Sequence, residues 1–365
     1  MKIGIIGTRG IPNQYGGFEQ FAQQLSTALA ERGHDLYVYN SSHHPYQQDK
    51  FEKVNIIHCR DWEDKIGTAG QFIYDLNCIN DARKRDFDVL LHLGYTSDSV
   101  WHWRWPKNTR HIVNMDGLEW KRSKYNKLTR RFLKWAEALA GKHADILIAD
   151  SPAIQDYLAG KFSKKIVHIP YIASICEHPD VALLNHFTVA PYSYFLVIAR
   201  MEPENNIETI IKGFLLSKQS YPLLIIGNTS NKHGSYLSKN YSSGKVRFAG
   251  PIYETETLNS LRYYSKTYFH GHSVGGTNPS LLEAMACQCS IIAHENVFNR
   301  AVLADDAGYF SNEAGIVQLI KSSSNTDRIA QQKKANLEKI SKLYNAKKIV
   351  GDYEALMLRS VSSSR

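Results

Sequence analysis

Short apolar runs rich in β-branched residues alternate along this chain with stretches of helical periodicity. Such alternation is typical of parallel β-sheets whose strands are joined by crossover helices. A chain of 365 residues is too long for one ordinary core, so we expect two domains of roughly 150–200 residues each. The periodicity is lost over residues 174–192, which predicts a linker between an N-terminal domain at 1–173 and a C-terminal domain at 193–345.

The first apolar run is followed by a long loop that ends at Gly16 and Gly17, directly before a helical stretch. The loop does not fit the dinucleotide-binding pattern G-x-G-x-x-G. In an open parallel sheet, ligands bind beyond the carboxyl ends of the strands, which is where this loop falls. We therefore predict that Gly16 and Gly17 let a ligand approach the backbone. The alternative is that the loop needs glycine only for its turns.

Asp116 stands at the carboxyl end of a later predicted strand, His111–Asp116. A carboxylate there can contact a substrate hydroxyl or act as a base, and it can equally be a turn or capping residue. Asp86 and Asp88 match the D-x-D motif of metal-dependent sugar transferases, but they precede a strand. They therefore lie at the wrong edge of the sheet, and we exclude them.

In the second half, Arg200 follows the first predicted strand, Tyr194–Ala199. An arginine at the carboxyl edge of a sheet can bind a diphosphate through paired hydrogen bonds. It can also stabilise negative charge on a leaving group.

The stretch 271–286 is predicted to be a glycine-rich turn that enters a helix, with Asn278 as N-cap and Pro279 as the first helical residue. Free N–H groups and the positive end of the helix dipole face the turn, where Gly275 and Gly276 leave room for a ligand. These features predict an anion site suited to phosphate or diphosphate. Glu283 follows where its carboxylate could accept hydrogen bonds from sugar hydroxyls. The alternative is that the motif is only a turn and a cap.

The formal charge of +9 implies an anionic partner, such as nucleic acid, a nucleotide or an acidic membrane. A basic helix is predicted at 121–142, with Lys127, Arg131 and Lys134 on one face. Its predicted apolar stripe consists of Leu128, Phe132, Trp135, Ala136 and Leu139. Together with the aromatic segment 101–105, this helix suggests docking on an anionic membrane surface, and the alternative is a solvated helix face. No nucleic-acid recognition module is recognisable, so we expect no nucleic-acid partner.

The five cysteines are scattered and odd in number, which favours reduced thiols in a cytoplasmic protein. Cys287 and Cys289 lack a second ligand pair nearby, so no metal site is expected. The N-terminus enters a strand at once, and no apolar run approaches the roughly 20 residues of a membrane span, so we expect neither a signal peptide nor a spanning helix. The predicted location is the cytoplasm, with peripheral association on the inner face of the cytoplasmic membrane.

Motifs in three regions resemble those of glycosyltransferase family 4, whose members are retaining enzymes with the GT-B fold. They are Gly16-Gly17 before the first helix, the segment 199–206 and the segment 275–286. The likeness spans nearly the whole chain. More narrowly, residues 7–12, 15–19 and 114–122 resemble a bacterial rhamnosyltransferase-like branch that serves capsular or exopolysaccharide assembly.

The resemblance implies a GT-B fold with two Rossmann-like parallel-sheet domains facing a cleft, and a C-terminal helix at about 346–365 that crosses back onto the first domain. It implies that no metal or other cofactor is needed. Catalytic residues would be Arg200, which holds the donor diphosphate, Glu283, which binds the ribose, and Asp116. The remaining donor-binding residues would be Gly16, Gly17, Asn205, Tyr253, Gly275, Gly276, Thr277, Asn278 and Ser280.

Three positions depart from the family pattern. Gly275 stands where the first glutamate of the E-x7-E motif is usual, Asn205 stands near the position of a usual lysine, and Asp116 replaces a usual histidine. One fewer cation at the diphosphate loses electrostatic stabilisation unless His272, Lys212 or the helix amides compensate.

The sequence therefore predicts a retaining glycosyltransferase that moves a sugar from a nucleoside-diphosphate donor to a hydroxyl of an oligosaccharide or lipid-linked glycan. The suggested sugar is rhamnose. The alternatives are a catalytically degenerate homologue that only binds nucleotide sugar and a sugar-nucleotide epimerase.

Overall fold

A computed structural model describes residues 1–14, 16–122, 125–322 and 326–362. The chain divides into two compact units. The first contains Met1–Trp120, Tyr125–Ile172 and the chain from Ala346 onward, and the second contains Ala173–Asn345 with a short segment after Trp120. Tyr15 and Lys124, which belong to motifs used in the sequence analysis, lie outside the described residues, as do the last three residues.

The α-helices are named in chain order. They are α1 (Gly17–Glu31), α2 (Glu63–Ile66), α3 (Ala69–Ala82), α4 (Lys127–His143), α5 (Pro152–Ala159), α6 (Ile207–Leu216), α7 (Lys232–Tyr241), α8 (Thr255–Tyr263), α9 (Pro279–Ala286), α10 (Val297–Leu303), α11 (Glu313–Ser322), α12 (Thr326–Lys339) and α13 (Ala346–Ser362). Short 3-10 helices occupy Ser99–Arg104, Glu119–Lys121, Val181–Phe187 and Pro203–Asn205, and a π-helical turn occupies Ile340–Tyr344.

The first unit contains a sheet with the strand order β3-β4-β2-β1-β5-β6-β7-β8. Its strands are β1 (Lys2–Ile6), β2 (Asp35–Ser41), β3 (Lys50–Phe51), β4 (Val54–Cys59), β5 (Val89–Leu93), β6 (Arg110–Asn114), β7 (Ile146–Ala149) and β8 (Ile166–His168). All pair in parallel except the short edge strand β3. Strand β5 is buried at every position, as expected for a parallel sheet with helices on both faces.

The second unit contains a parallel sheet with the strand order β11-β10-β9-β12-β13-β14. Its strands are β9 (Phe195–Ile198), β10 (Leu223–Ile226), β11 (Val246–Gly250), β12 (Thr267–His270), β13 (Ile291–His294) and β14 (Gly308–Phe310). Phe195, Phe214 and Phe269 pack together in its core. The predicted fold class, two parallel-sheet α/β domains, is confirmed.

The predicted linker packs on the second unit. Residues 174–180 form no helix or strand, and the Cys176 amide donates to the Ala286 carbonyl over 3.3 Å. The Asp180 amide donates to the Ser260 hydroxyl over 2.9 Å. The Asp180 carboxylate then caps the 3-10 helix that follows, through the Ala182 amide. These contacts explain why a segment without periodicity is ordered.

The basic helix differs from its prediction in two respects. Helix α4 begins at Lys127 rather than 121, because the Asn126 side chain caps it by accepting from the Thr129 amide. Its buried face also differs from the predicted stripe, of which only Ala136 is fully buried. The buried residues are Leu133, Ala136, Glu137, Ala140 and Gly141. In the described part of the chain, no helix is long and apolar enough to span a membrane.

Candidate functional site

The predicted cap at the start of α9 is present. The Asn278 side chain accepts a hydrogen bond from the Ser280 amide over 2.9 Å, and Pro279 is the first helical residue. Because the Ser280 amide donates to the Asn278 side chain, this N–H group is not available to an anion. The Gly275 and Gly276 amides donate to no residue that the structure describes. They are therefore available to a ligand in this turn.

Gly275 has a backbone conformation that favours glycine. Its φ is +133°, and a Cβ built there would meet no atom within 4 Å. The turn is therefore open at this position, and the restriction on side chains comes from the backbone angle. A glutamate at 275, the usual residue in the resembling family, would be strained in this conformation.

Arg200 lies two residues beyond β9, which pairs with β12, the strand that leads into the Gly275 turn. The turns after these two strands are bonded to each other. The Ser273 amide donates to the Glu204 carbonyl over 3.0 Å, and the Asn206 side chain donates to the Gly271 carbonyl over 2.8 Å. Gly271 is required here, because a Cβ would lie 1.9 Å from the Asn205 carbonyl oxygen.

The Arg200 side chain is exposed, and it has no hydrogen-bond or ion-pair partner among the described residues. Burial and the neighbouring His270 hold the pKa of His272 well below its ordinary value. The positive charges of Arg200 and other cations lower it further. His272 is therefore neutral at physiological pH and adds no cation. Lys212 is paired with Glu208 at 3.0 Å on α6. Neither His272 nor Lys212 therefore replaces the missing cation, and the backbone amides before α9 are the compensating groups that remain.

Asn205 is buried and turned inward. Its side-chain amide donates to the Arg200 carbonyl over 2.7 Å and so closes the turn that carries Arg200. Its position supports a role in shaping this turn. Tyr253, one of the predicted donor-binding residues, is exposed after β11. Thr277 is buried beside Asn278.

Sequence reasoning missed the residues that hold Glu283. Arg262 on α8 is 2% exposed and forms an ion pair with Glu283. Its guanidinium also lies 3.4 Å from the Ser280 hydroxyl, which shares a 2.7 Å hydrogen bond with the Tyr268 hydroxyl. The available signal was the position of Arg262 four residues after Leu258, which places both on the same face of a helix.

In the first unit, Gly16 is the N-cap of α1 and Gly17 its first residue. The φ of Gly16 is −176°, which any residue adopts, and a Cβ there would meet only the Glu19 carboxylate at 3.5 Å. The backbone therefore does not require glycine at 16, which argues against a role in turn geometry alone. Glu19 itself accepts from the Arg9 amide over 3.0 Å.

Asp116 follows β6 with a left-handed φ of +48°, a conformation that aspartate tolerates in turns. One carboxylate oxygen accepts from the Tyr171 hydroxyl over 2.8 Å, and its amide donates to the Asn114 side chain over 3.0 Å. The turn role is thus present in the structure. Asp116, Gly16 and Gly17 belong to the first unit, and the other predicted site residues belong to the second.

Comparison with known proteins adds to these observations. Residues 187–349 match the family of glycosyl transferases group 1, and residues 1–177 match a domain of unknown function, DUF1972. An uncharacterized glycosyltransferase of Methanocaldococcus jannaschii is 26% identical over 259 residues, which cover 65% of this chain and 64% of that relative's length.

Solved structures cover the whole chain. Sucrose-phosphate synthase from Thermosynechococcus elongatus has a TM-score of 0.82 over 100% of both chains, at 16% identity. Anabaena HepE in complex with UDP-glucose has a TM-score of 0.73 over 99% of each chain, at 12% identity. The chain has the GT-B fold. The solved structures show the fold alone, and the match to glycosyl transferases group 1 concerns residues 187–349.

The edge of the second sheet in this GT-B chain is suited to anion binding. Arg200 offers a guanidinium that has no partner among the described residues, and the Gly275 and Gly276 amides donate to none of those residues. The positive end of the α9 dipole faces the same turn. No three His, Cys, Asp or Glu side chains in the described ranges form a metal-binding group.

Proposed function

We propose that this protein transfers a sugar from a nucleoside-diphosphate donor to a hydroxyl acceptor. The observation that carries the proposal is the set of hydrogen-bond donors at the carboxyl edge of the second sheet. The Arg200 guanidinium and the Gly275 and Gly276 amides, which have no partner within the described ranges, lie on turns that are hydrogen-bonded to each other. The family match of residues 187–349 and the UDP-glucose bound by HepE support the same class of donor.

In the proposed reaction, the bond between the sugar C1 atom and the diphosphate oxygen breaks, and a bond from C1 to the acceptor oxygen forms on the same face, with retention. Arg200 and the turn amides stabilise the charge on the departing diphosphate. The acceptor proton passes to an oxygen of that diphosphate. A metal is not required in this scheme, because Arg200 and the turn amides supply the positive potential around the diphosphate.

Glu283 is proposed to bind the donor ribose with the carboxylate oxygen that Arg262 leaves available. Arg262 holds this carboxylate in place from the buried side. We further propose rhamnose as the sugar and a growing capsular or exopolysaccharide glycan as the acceptor, on the resemblance of residues 7–12 and 114–122 to that branch.

The first test is a binding and transfer assay with a panel of UDP, dTDP and GDP sugars in the presence of EDTA. A bound nucleotide raises the melting temperature according to its concentration relative to Kd. We expect one nucleotide class to stabilise the protein and the matching sugar to be transferred. If no nucleotide shifts the protein at millimolar concentration, the proposal is wrong.

Two features favour a second candidate, a homologue that binds nucleotide sugar without turnover. The position of a usual lysine is taken by the buried and neutral Asn205, and Gly275 replaces a usual glutamate. Stabilisation by a nucleotide sugar without transfer to any acceptor would support this candidate. Conversion of the donor sugar in the absence of acceptor would instead identify an epimerase.

A further inference from the structure

Helix α4 presents apolar side chains to solvent. Leu128 is 79% exposed and Trp135 is 50% exposed, and Phe132 between them is half-buried. At about 100° per residue, these three positions lie along one edge of the helix. Exposed tryptophan and leucine at helical spacing are uncommon on a face that contacts only water.

This apolar edge continues onto neighbouring elements of the first unit. The Phe132 ring lies 5.7 Å from Phe72 of α3, whose carbonyl accepts from the Trp101 indole over 2.9 Å. Trp101 in turn lies 5.4 Å from Trp103, which is 61% exposed. We call Trp103, Leu128, Phe132 and Trp135 the aromatic patch.

Cations border the aromatic patch on α4. Lys127, Arg131 and Lys142 are exposed and fall on the edge of the helix next to Leu128 and Trp135. The only acidic residue of α4 is Glu137, which is buried and bonded to Trp120 and Tyr157. The exposed side of the helix therefore combines apolar and positive side chains with no carboxylate.

We infer that the aromatic patch and its bordering cations dock on an anionic phospholipid surface. Indole and leucine side chains partition into the interface between headgroups and acyl chains, while lysine and arginine contact the phosphates. An acidic protein surface would satisfy the cations but would not account for large apolar side chains exposed beside them. The inference does not depend on the proposed reaction, because it concerns a surface of the first unit alone.

Sedimentation of the full-length chain with vesicles tests this inference. We expect binding to vesicles of phosphatidylcholine with phosphatidylglycerol, weaker binding at high salt and little binding to phosphatidylcholine alone. Lys127→Gln with Arg131→Gln should weaken binding roughly 30-fold, since each cation contributes about 1 kcal/mol at such a surface. Lys53→Gln with Lys239→Gln, two exposed cations elsewhere, should leave binding unchanged.

The apolar contribution needs its own pair of variants. Leu128→Ser with Trp135→Ser should weaken binding by at least about tenfold, from the loss of buried apolar area. The control is Leu216→Ser with Val297→Ser, which changes side chains that are 63% and 67% exposed elsewhere, and it should have no effect. Failure of the wild-type chain to bind the anionic vesicles at low salt would overturn the inference. So would unchanged binding by either pair of patch variants.

Discussion

Arg262 and Glu283 form an ion pair between α8 and α9, with the guanidinium buried and the carboxylate 21% exposed. Charge on Glu283 helps to raise the pKa of Arg262, against the lowering effect of burial. The pair fixes the first turns of α9, the helix that begins at the proposed anion site. Glu283 is thus a functional candidate whose orientation depends on a residue 21 positions earlier.

We expect Arg262→Met to lower the free energy of unfolding by about 3 kcal/mol, because it leaves Glu283 partly buried without its partner. The value lies at the low end for broken buried pairs, since Glu283 keeps some contact with water. Urea unfolding measures the change. Arg300→Met is the control, since the Arg300–Glu295 pair is exposed and its loss should cost much less. Equal losses in the two variants would contradict the prediction.

Arg200→Ala should leave the unfolding free energy unchanged, because the side chain is exposed and unpartnered among the described residues. On the proposed function, kcat should fall roughly 10²–10³-fold, the usual effect of removing one donor to a developing negative charge. Arg200→Lys should recover part of the loss, since lysine keeps the charge but not the planar fork. Lys239→Ala serves as the control. Near-normal turnover by Arg200→Ala would show that another group binds the diphosphate.

Gly275→Ala tests the conformation of the anion turn. At a φ of +133° a Cβ is strained, so we expect a loss of about 1 kcal/mol in stability or a shift of the turn that weakens nucleotide binding. Gly244→Ala is the matched control, since a Cβ there meets nothing within 4 Å and the φ of Gly244 is not in the left-handed region. Nucleotide titration and urea unfolding of both variants measure the difference. Identical behaviour of the two variants would contradict the prediction.

A buried chain of polar groups in the first unit predicts a pH effect. His111 must donate from Nε2 to the Pro106 carbonyl at 2.9 Å, so its bare Nδ1 accepts from His92 Nε2 at 2.9 Å. The bare Nδ1 of His92 then requires a proton on Asp98, its bonded partner. Burial lowers the pKa of His92 to about 3 and of His111 to about 4, and raises the pKa of Asp98. These directions agree with a chain that is neutral throughout.

Asp98→Asn keeps a donor for His92 and removes a titrating group. Because the pKa of Asp98 is raised on folding, its contribution to stability is complete below its unfolded pKa of about 3.9 and is lost as pH rises through the folded value. We therefore expect the variant to be more stable than the wild type at pH 8, with the gain disappearing toward pH 4. Urea midpoints across this range provide the measurement. A variant no more stable than the wild type at pH 8 would contradict a raised pKa of Asp98 in the folded state.

The two histidines act in the opposite sense. Their pKa values are lowered on folding, so their contribution is complete above the unfolded pKa of about 6.5 and declines as the pH falls toward 4. This decline should be present in both the wild type and the Asp98→Asn variant, which makes it an internal reference.

The features of the fold that depend on residues close in sequence could be predicted from the sequence. The cap at Asn278 and Pro279, the turn at Gly275 and the alternation of strands and helices follow from residues close in sequence, and all are present. Helix α12 was not predicted. Its fully buried residue is the polar Asn336, whose side chain donates to the Asp306 carbonyl over 2.8 Å. Periodic apolar signals do not detect such a helix.

Tertiary contacts account for the remaining differences. The buried Asn205 depends on the close approach of Gly271, which is 66 residues away and was not foreseeable from either segment. The buried face of α4 differs from the predicted apolar stripe because it contains Glu137. Its burial is compensated by Tyr157 and Lys161, which are supplied by a later part of the chain.

The contacts of Glu137 also determine how α4 meets a surface. With Trp120, Tyr157 and Lys161 bonded to one carboxylate on its inner side, the helix is fixed in rotation about its own axis. The aromatic patch is therefore preorganised, and adsorption would carry no entropic cost of helix formation. Circular dichroism should then record no gain in helicity when vesicles are added, unlike the response of peptides that fold on contact with lipid.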